Sequence, residues 1–201
     1  MKPELIVEQK ITAFVNKYDI FAVQADGAKG EMLARAQQKR LAFKEKVTFY
    51  TDDSNKTVAF TFRAEKVMDV HGRYFVEDAD GTLLGVFKKK FGSSLLRSTW
   101  LLMNHDESET YKVTESNAVL AFLRRFVGWI PFVGDILDIV ILFFRYHFVF
   151  IDSQGNEKGK YAKTTLFRDH YRMDVDQQLS EAIDWRVLAA MAVGLDALQS
   201  R

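Results

Sequence analysis

The chain has 201 residues, 48% hydrophobic and 27% charged, a balance typical of one globular domain with a sizeable core. The formal net charge is +1, so overall charge gives no indication of a nucleic-acid partner, and none is expected. The absence of cysteine excludes disulfides, thiol catalysis and thiolate metal sites. We therefore expect a single domain over residues 1–201, with cytoplasmic location as the default because the charged N-terminus lacks the apolar run of a signal peptide.

Alternating apolar and polar residues predict strands along most of the chain, and 17 phenylalanines with only 2 prolines favour long strands around an aromatic core. The clearest pair places Val47 and Phe49 on one face of a strand and Phe60 and Phe62 on one face of the next. The predicted strands cover residues 5–11, 18–25, 32–36, 41–49, 58–64, 73–77, 83–90, 98–103, 109–115, 139–151 and 160–175. These eleven ranges are counted as about twelve strands, followed by a helix.

Three segments, beginning at Tyr18, Tyr74 and Tyr146, share a strand, a polar turn containing Asp and Gly, and a second Gly shortly after it. Each predicts a β-hairpin in an antiparallel sheet. The similarity has two explanations, internal duplication or turn chemistry that all hairpins share, and the sequence leaves both open.

The last predicted element is a helix over residues 180–198, and its middle, residues 187–195, has no charge. Its apolar residues cover every side of the helix, which predicts burial on all sides. Nine residues are too few to cross a bilayer, which needs about 20. The alternative is an ordinary C-terminal helix packed on one side of a sheet.

A sheet of twelve antiparallel strands removes its exposed edges by closing into a barrel, and a barrel of that size is too wide for side chains alone to fill. A central helix solves the filling problem. The predicted fold is therefore mainly β with α: a closed antiparallel barrel around the buried C-terminal helix, with a short helical insertion at residues 118–138.

The segment from Tyr74 to Trp100 and the terminal segment from Asp184 to Leu198 resemble the tubby C-terminal-like superfamily, in its phospholipid scramblase and LURP-one-related branch. This resemblance implies a twelve-stranded barrel around a hydrophobic helix, and it implies phosphoinositide binding through basic strand residues, as in tubby proteins. The chain departs from scramblases because it lacks their palmitoylated cysteine cluster and because Asp196 lies in the terminal helix. Both departures argue against scrambling activity.

Residues 81–104 contain four basic side chains, Lys88, Lys89, Lys90 and Arg97, and no acidic one. On a strand Lys88 and Lys90 share a face. Converging cations bind phosphate, and Ser93 and Ser94 add hydroxyl donors. The alternative is a solvated strand whose lysines resist aggregation.

The insertion at residues 118–139 combines a helical pattern after Asn117, a plausible N-cap, with breaks at Gly128, Pro131 and Gly134. Its charged and aromatic side chains predict contact with a membrane interface or a protein partner. The candidate residues are Arg124, Arg125, Phe126, Trp129 and Phe132. The alternative is a helical plug that covers one end of the barrel.

No metal, cofactor or catalytic centre is expected. The four histidines His71, His105, His147 and His170 have no ligand neighbours at suitable spacing, and Asp135 with Asp138 is a poor metal site on its own. No phosphate-binding loop, nucleophile elbow or zinc-protease motif occurs.

We make a separate structural prediction for each of two acidic residues. Asp169 shares a face with Tyr171 and Met173 and needs a cation or hydrogen bonds if buried. Asp196 is predicted near the barrel mouth.

The leading hypothesis is a non-enzymatic barrel that binds anionic phospholipid headgroups or another phosphorylated ligand at the membrane surface. Lys88, Lys90 and Arg97 are its principal contacts. The alternative is a protein-interaction or regulatory module that uses the insertion at residues 118–139 and has no lipid role.

Overall fold

The computed structural model describes residues 4–11, 15–39, 46–52, 54–65, 72–90, 98–116, 147–165 and 169–199, which contain twelve strands and two helices. The strands are β1 Leu5–Ile11, β2 Val15–Val23, β3 Lys29–Lys39, β4 Lys46–Tyr50, β5 Val58–Ala64, β6 Arg73–Asp78, β7 Leu83–Lys89, β8 Thr99–Asn104, β9 Thr110–Glu115, β10 His147–Ile151, β11 Glu157–Lys163 and β12 Asp169–Val175. The helices are α1 Gln177–Ala182 and α2 Trp185–Gln199.

The twelve strands form one closed antiparallel barrel in which each strand pairs with its neighbours in the chain. The barrel is closed by the pairing of β1 with β12, where Leu5 lies opposite Met173 and Val7 opposite Tyr171. The predicted closed antiparallel barrel is therefore confirmed.

The apolar middle of α2 fills the barrel. Every residue from Val187 to Val193 is fully buried, as is Leu195. The fit is close at β7, where a Cβ on Gly85 would lie 2.9 Å from Cγ2 of Val187 and 2.6 Å from the carbonyl oxygen of Met103. The predicted buried central helix is confirmed. Neither described helix is long and apolar enough to cross a membrane.

The prediction of one continuous helix from Ser180 is wrong in its first residues. Ser180 belongs to α1, and the chain leaves helical geometry at Ile183, which has φ −121° and ψ 124°. The Asp184 carboxylate then accepts a hydrogen bond from the Arg186 N–H at 2.8 Å and begins α2. Asp side chains favour such starts because they satisfy backbone donors in the first turn.

The predicted strand over residues 160–175 is two strands, β11 and β12, which pair with Tyr161 opposite Met173. The polar turn before it is also shorter than predicted, because β11 already begins at Glu157. No Gly, Pro or Asn marks the reversal between Lys163 and Asp169. The alternation continues on both sides, so the sequence gives no sign of the turn.

Aromatic side chains pack between the barrel wall and α2. The Phe49 and Phe60 rings stack with centroids 4.1 Å apart, and Phe60 meets Trp185 edge-on at 5.7 Å. Phe62 is also buried, so the predicted inward faces of β4 and β5 are correct.

The five hairpin turns that lie within the described residues share one contact, in which an Asp carboxylate accepts the backbone N–H two residues further on. The five donor–acceptor distances run from 2.7 to 3.0 Å. The aspartates are Asp26, Asp52, Asp78, Asp106 and Asp152. The same contact occurs at Asp52 and Asp106, whose turns lack the glycines of the three similar segments, so it explains their shared Asp but not their shared glycines.

The five hairpin turns, α1 and the start of α2 all lie at one end of the barrel, which we call the hairpin end. The other end, where α2 finishes at Gln199, we call the far end. The basic residues at the end of β7 belong to the far end.

Candidate functional site

The three consecutive lysines of the predicted phosphate site point in alternate directions, as the strand pattern predicts. Lys89 faces the interior, where its ammonium lies 5.7 Å from the centre of the Trp100 ring. Lys88 lies on the outer face and is half-buried, and Lys90 is exposed. The Lys90 N–H donates to the Thr99 carbonyl at 2.9 Å, which extends the strand pairing beyond β7.

A fourth cation, Arg73, lies directly opposite Lys88 on β6. Directly opposed residues in antiparallel strands have Cβ atoms about 5 Å apart, so the two positive side chains start side by side on the outer face. We call Arg73, Lys88 and Lys90 the basic patch.

Sequence reasoning missed Arg73 because a β-bulge sets its partner. The register shifts between Val76 and Glu77, and Val76 then pairs with Gly85. Counting back from the Glu77–Leu83 pair without that shift would place Arg73 opposite Phe87 instead of Lys88. A bulge adds one residue to one strand and moves every later pair. The isolated Gly85 beside the shift is a residue type that often marks a bulge, but it does not by itself define the register.

Arg73 is positioned by its neighbours. Its guanidinium meets the Glu107 carboxylate and lies 5.2 Å from the centre of the Phe75 ring. Arg63 approaches the same ring at 5.3 Å. The ring therefore helps to orient both guanidinium groups through cation–π contact.

Arg63 is committed to an ion pair. Its guanidinium donates to Glu77, with Nη2 and Oε1 2.7 Å apart, and this hydrogen bond raises the pKa of Arg63 above its ordinary value. Among the described residues Lys88 has no salt bridge, so its charge stays available.

Across neighbouring strands on the outer face, the basic patch is flanked by acidic, apolar and basic side chains. The exposed Glu65 lies beside Arg73, because its N–H donates to the Arg73 carbonyl at 2.9 Å. On the other side Leu101 lies opposite Lys88, and the exposed Lys112 lies opposite Leu101. The row therefore runs from one acidic residue through two cations and a leucine to a third cation.

The other predicted contacts cannot be placed. Ser93, Ser94 and Arg97 lie outside the described residues, as does the whole predicted insertion at residues 118–138. The latter contains the candidate contacts Arg124, Arg125, Phe126, Trp129 and Phe132. Asp135 and Asp138 fall there too, and the structure describes only the backbone of Asp196.

Several titratable groups of the described residues form structural pairs. Asp169 meets the Lys163 ammonium at 2.7 Å, and the Lys163 side chain is only 7% exposed, so the expected cation partner of Asp169 is present. His170 Nδ1 lies 4.0 Å from a Glu8 carboxylate oxygen. Within the described ranges no three His, Asp or Glu side chains are grouped as metal ligands.

The fold defines the class of protein: a closed twelve-stranded antiparallel barrel with a hydrophobic helix through its middle. A family model described as LURP-one-related matches residues 32–196, which cover most of the chain. The chain belongs to the LURP-one-related family, which is part of the tubby-like superfamily. A search among curated proteins finds no significant match.

Proposed function

We propose that this barrel is a non-enzymatic module that binds anionic phospholipid headgroups, or another phosphorylated ligand, at a membrane surface. The observation that supports the proposal best is the pairing of Arg73 with Lys88, next to the exposed Lys90. Proteins of this superfamily are generally non-enzymatic, which agrees with the proposal.

The pairing has a cost in the free protein. Like charges directly opposite each other in a sheet are destabilising by a few tenths of a kcal/mol to about 1 kcal/mol. The Glu107 carboxylate already offsets part of the charge of Arg73, and an anion beside Lys88 would offset the remaining repulsion. Such a contact would use the planar donors of the guanidinium and the point charge of the ammonium on one phosphate.

The outer face beside the patch also suits a headgroup. Leu101 is partly exposed next to Lys88, so an aliphatic group lies within reach of the acyl side of the interface while the ammonium meets phosphate. Basic side chains near an anionic leaflet contribute roughly 1 kcal/mol each.

The test is vesicle sedimentation with Lys88→Ala combined with Lys90→Ala. Vesicles of phosphatidylcholine are compared with the same vesicles containing phosphatidylserine or a phosphoinositide. Loss of about 2 kcal/mol, at roughly 1 kcal/mol per lysine, predicts about thirtyfold weaker binding to the anionic vesicles. Binding of soluble inositol phosphate without binding to either vesicle would indicate a free phosphorylated ligand instead of a membrane headgroup.

The matched control removes two exposed lysines elsewhere, Lys56 in the β4–β5 turn and Lys160 on β11. It should bind as the wild type does. Equal loss in both double variants, or no binding by the wild type, would reject the proposal. The protein-interaction hypothesis on residues 118–139 would then remain, and deletion of that segment in a pull-down would test it.

A further inference from the structure

Acidic residues are concentrated at the hairpin end. Its described turns and caps span residues 24–28, 51–52, 54–57, 78–82, 104–109, 152–156 and 176–184. They contain a single basic residue, Lys56, and eleven acidic residues: Asp26, Asp52, Asp78, Asp80, Asp106, Glu107, Glu109, Asp152, Asp176, Glu181 and Asp184. Since the whole chain has a net charge of +1, the rest of the chain is strongly basic.

The excess of positive charge is found at the far end. Side chains described in the last three positions of each strand there include two acidic residues, Glu115 and Asp169. They also include eight basic residues: Lys10, Lys17, Lys46, Arg63, Arg73, Lys88, Lys89 and Lys163. One contact crosses the boundary, because Glu107 of the hairpin end meets Arg73.

Part of this asymmetry has a structural reason. α2 begins at the hairpin end, and the N-terminus of a helix carries a partial positive charge that acidic neighbours stabilise. The macrodipole requires only a few charges in the first turn, and its effect falls off beyond that turn. It therefore does not account for aspartates on all five hairpins or for lysines spread around the far end.

We infer that the barrel meets an anionic membrane surface end-on, with the far end against the surface and the hairpin end pointing away. The inference rests on the proposed function and adds the orientation of binding. Because the protein has a net charge of only +1, its overall attraction to an anionic membrane is weak. The separation of charge between the two ends therefore determines which end faces the membrane. At physiological salt the Debye length is about 8 Å, so the surface acts mainly on the end that faces it.

The chain has no cysteine, so single cysteines give unique labelling positions. Ser116, just after β9, reports on the far end, and Ser153, in the β10–β11 turn, reports on the hairpin end; both are exposed. From Phe148, which pairs with Glu115, to Ser153 is five residues, about 16 Å along an extended strand. The two labels therefore differ clearly in depth.

The experiment labels Ser116→Cys and Ser153→Cys separately with one fluorophore and adds phosphatidylcholine–phosphatidylserine vesicles that carry a nitroxide on the headgroup. Severalfold stronger quenching at position 116 than at position 153 is expected. Soluble iodide without vesicles serves as the control, because both exposed labels should then be quenched to a similar extent.

The possible outcomes distinguish the proposed orientation from the proposed function. If binding depends on Lys88 and Lys90 but the Ser153→Cys label is quenched as strongly as the other, the orientation is wrong while the proposed function stands. If only the Ser116→Cys label is quenched but the lysine variants bind normally, the orientation stands and the proposed contacts fail. If the protein does not bind these vesicles at all, both are rejected.

Discussion

Asp184 shows how single carboxylates hold this barrel together. Burial alone would raise the pKa of Asp184, but the hydrogen bonds from Arg186 outweigh it and hold that pKa below its ordinary value. The same hydrogen bond raises the pKa of Arg186. The side-chain contact is short, with Nη2 and Oδ2 2.7 Å apart, and lies at the start of the buried helix.

The pKa shift gives stability a definite pH dependence. The ordinary pKa of an unfolded Asp is about 3.9, so a depressed folded-state pKa contributes stability above that value and loses it as the pH falls through the folded pKa. We expect Asp184→Asn, which keeps a capping oxygen but removes the charge, to lower the free energy of unfolding at pH 7 by about 1 kcal/mol. The difference from the wild type should shrink below about pH 4.

Urea unfolding followed by tryptophan fluorescence, at neutral and acid pH, measures this difference. Asp80→Asn serves as the control, because Asp80 is exposed and forms no salt bridge among the described residues. A constant gap between Asp184→Asn and the wild type at every pH would contradict the electrostatic explanation.

The helix α2 and the barrel wall are closely packed. Small residues make the helix narrow, and Gly85 lets β7 approach it closely. We expect Gly85→Ala to destabilise the fold by about 1–3 kcal/mol, because the added Cβ meets both a backbone carbonyl and a valine methyl. The decrease is measured as a lower midpoint in chemical unfolding.

Ser153→Ala, an exposed change in a turn, should stay within about 0.5 kcal/mol of the wild type. A Gly85→Ala protein as stable as the wild type would mean that helix and wall are packed less tightly than described.

Periodicity explains which elements were predictable. The inward phenylalanines of β4 and β5 and the all-round apolar surface of α2 are local patterns, so sequence alone was sufficient for them. The reversal between Lys163 and Asp169 and the pairing of Arg73 with Lys88 were not predictable. The first lacks turn residues, and the second depends on a bulge that tertiary packing selects. The candidate site was therefore found only in part, through the lysines on β7.

Charge separation between the two ends makes membrane binding sensitive to salt. Raising salt from about 0.1 M to about 1 M shortens the Debye length from about 10 Å to about 3 Å. We expect binding to phosphatidylserine vesicles to weaken steeply over this range, because the attraction comes from a charged end of a molecule whose net charge is only +1. Sedimentation across a salt series measures it.

Binding that does not depend on salt would indicate a different main force. Binding that keeps its strength in high salt would point to apolar insertion as the main force, since burial of apolar groups is not screened. The basic patch would then orient the protein and contribute little affinity.

The pairing of β1 with β12 has a consequence for how the chain reaches its native state. The two strands that close the ring come from opposite ends of the sequence, and the helix that occupies the lumen follows both. Until the chain has been synthesised as far as β12, β1 has no partner on that side, and unpaired strand edges invite aggregation. We expect closure of the ring to be a late step in folding, because its contacts are distant in sequence.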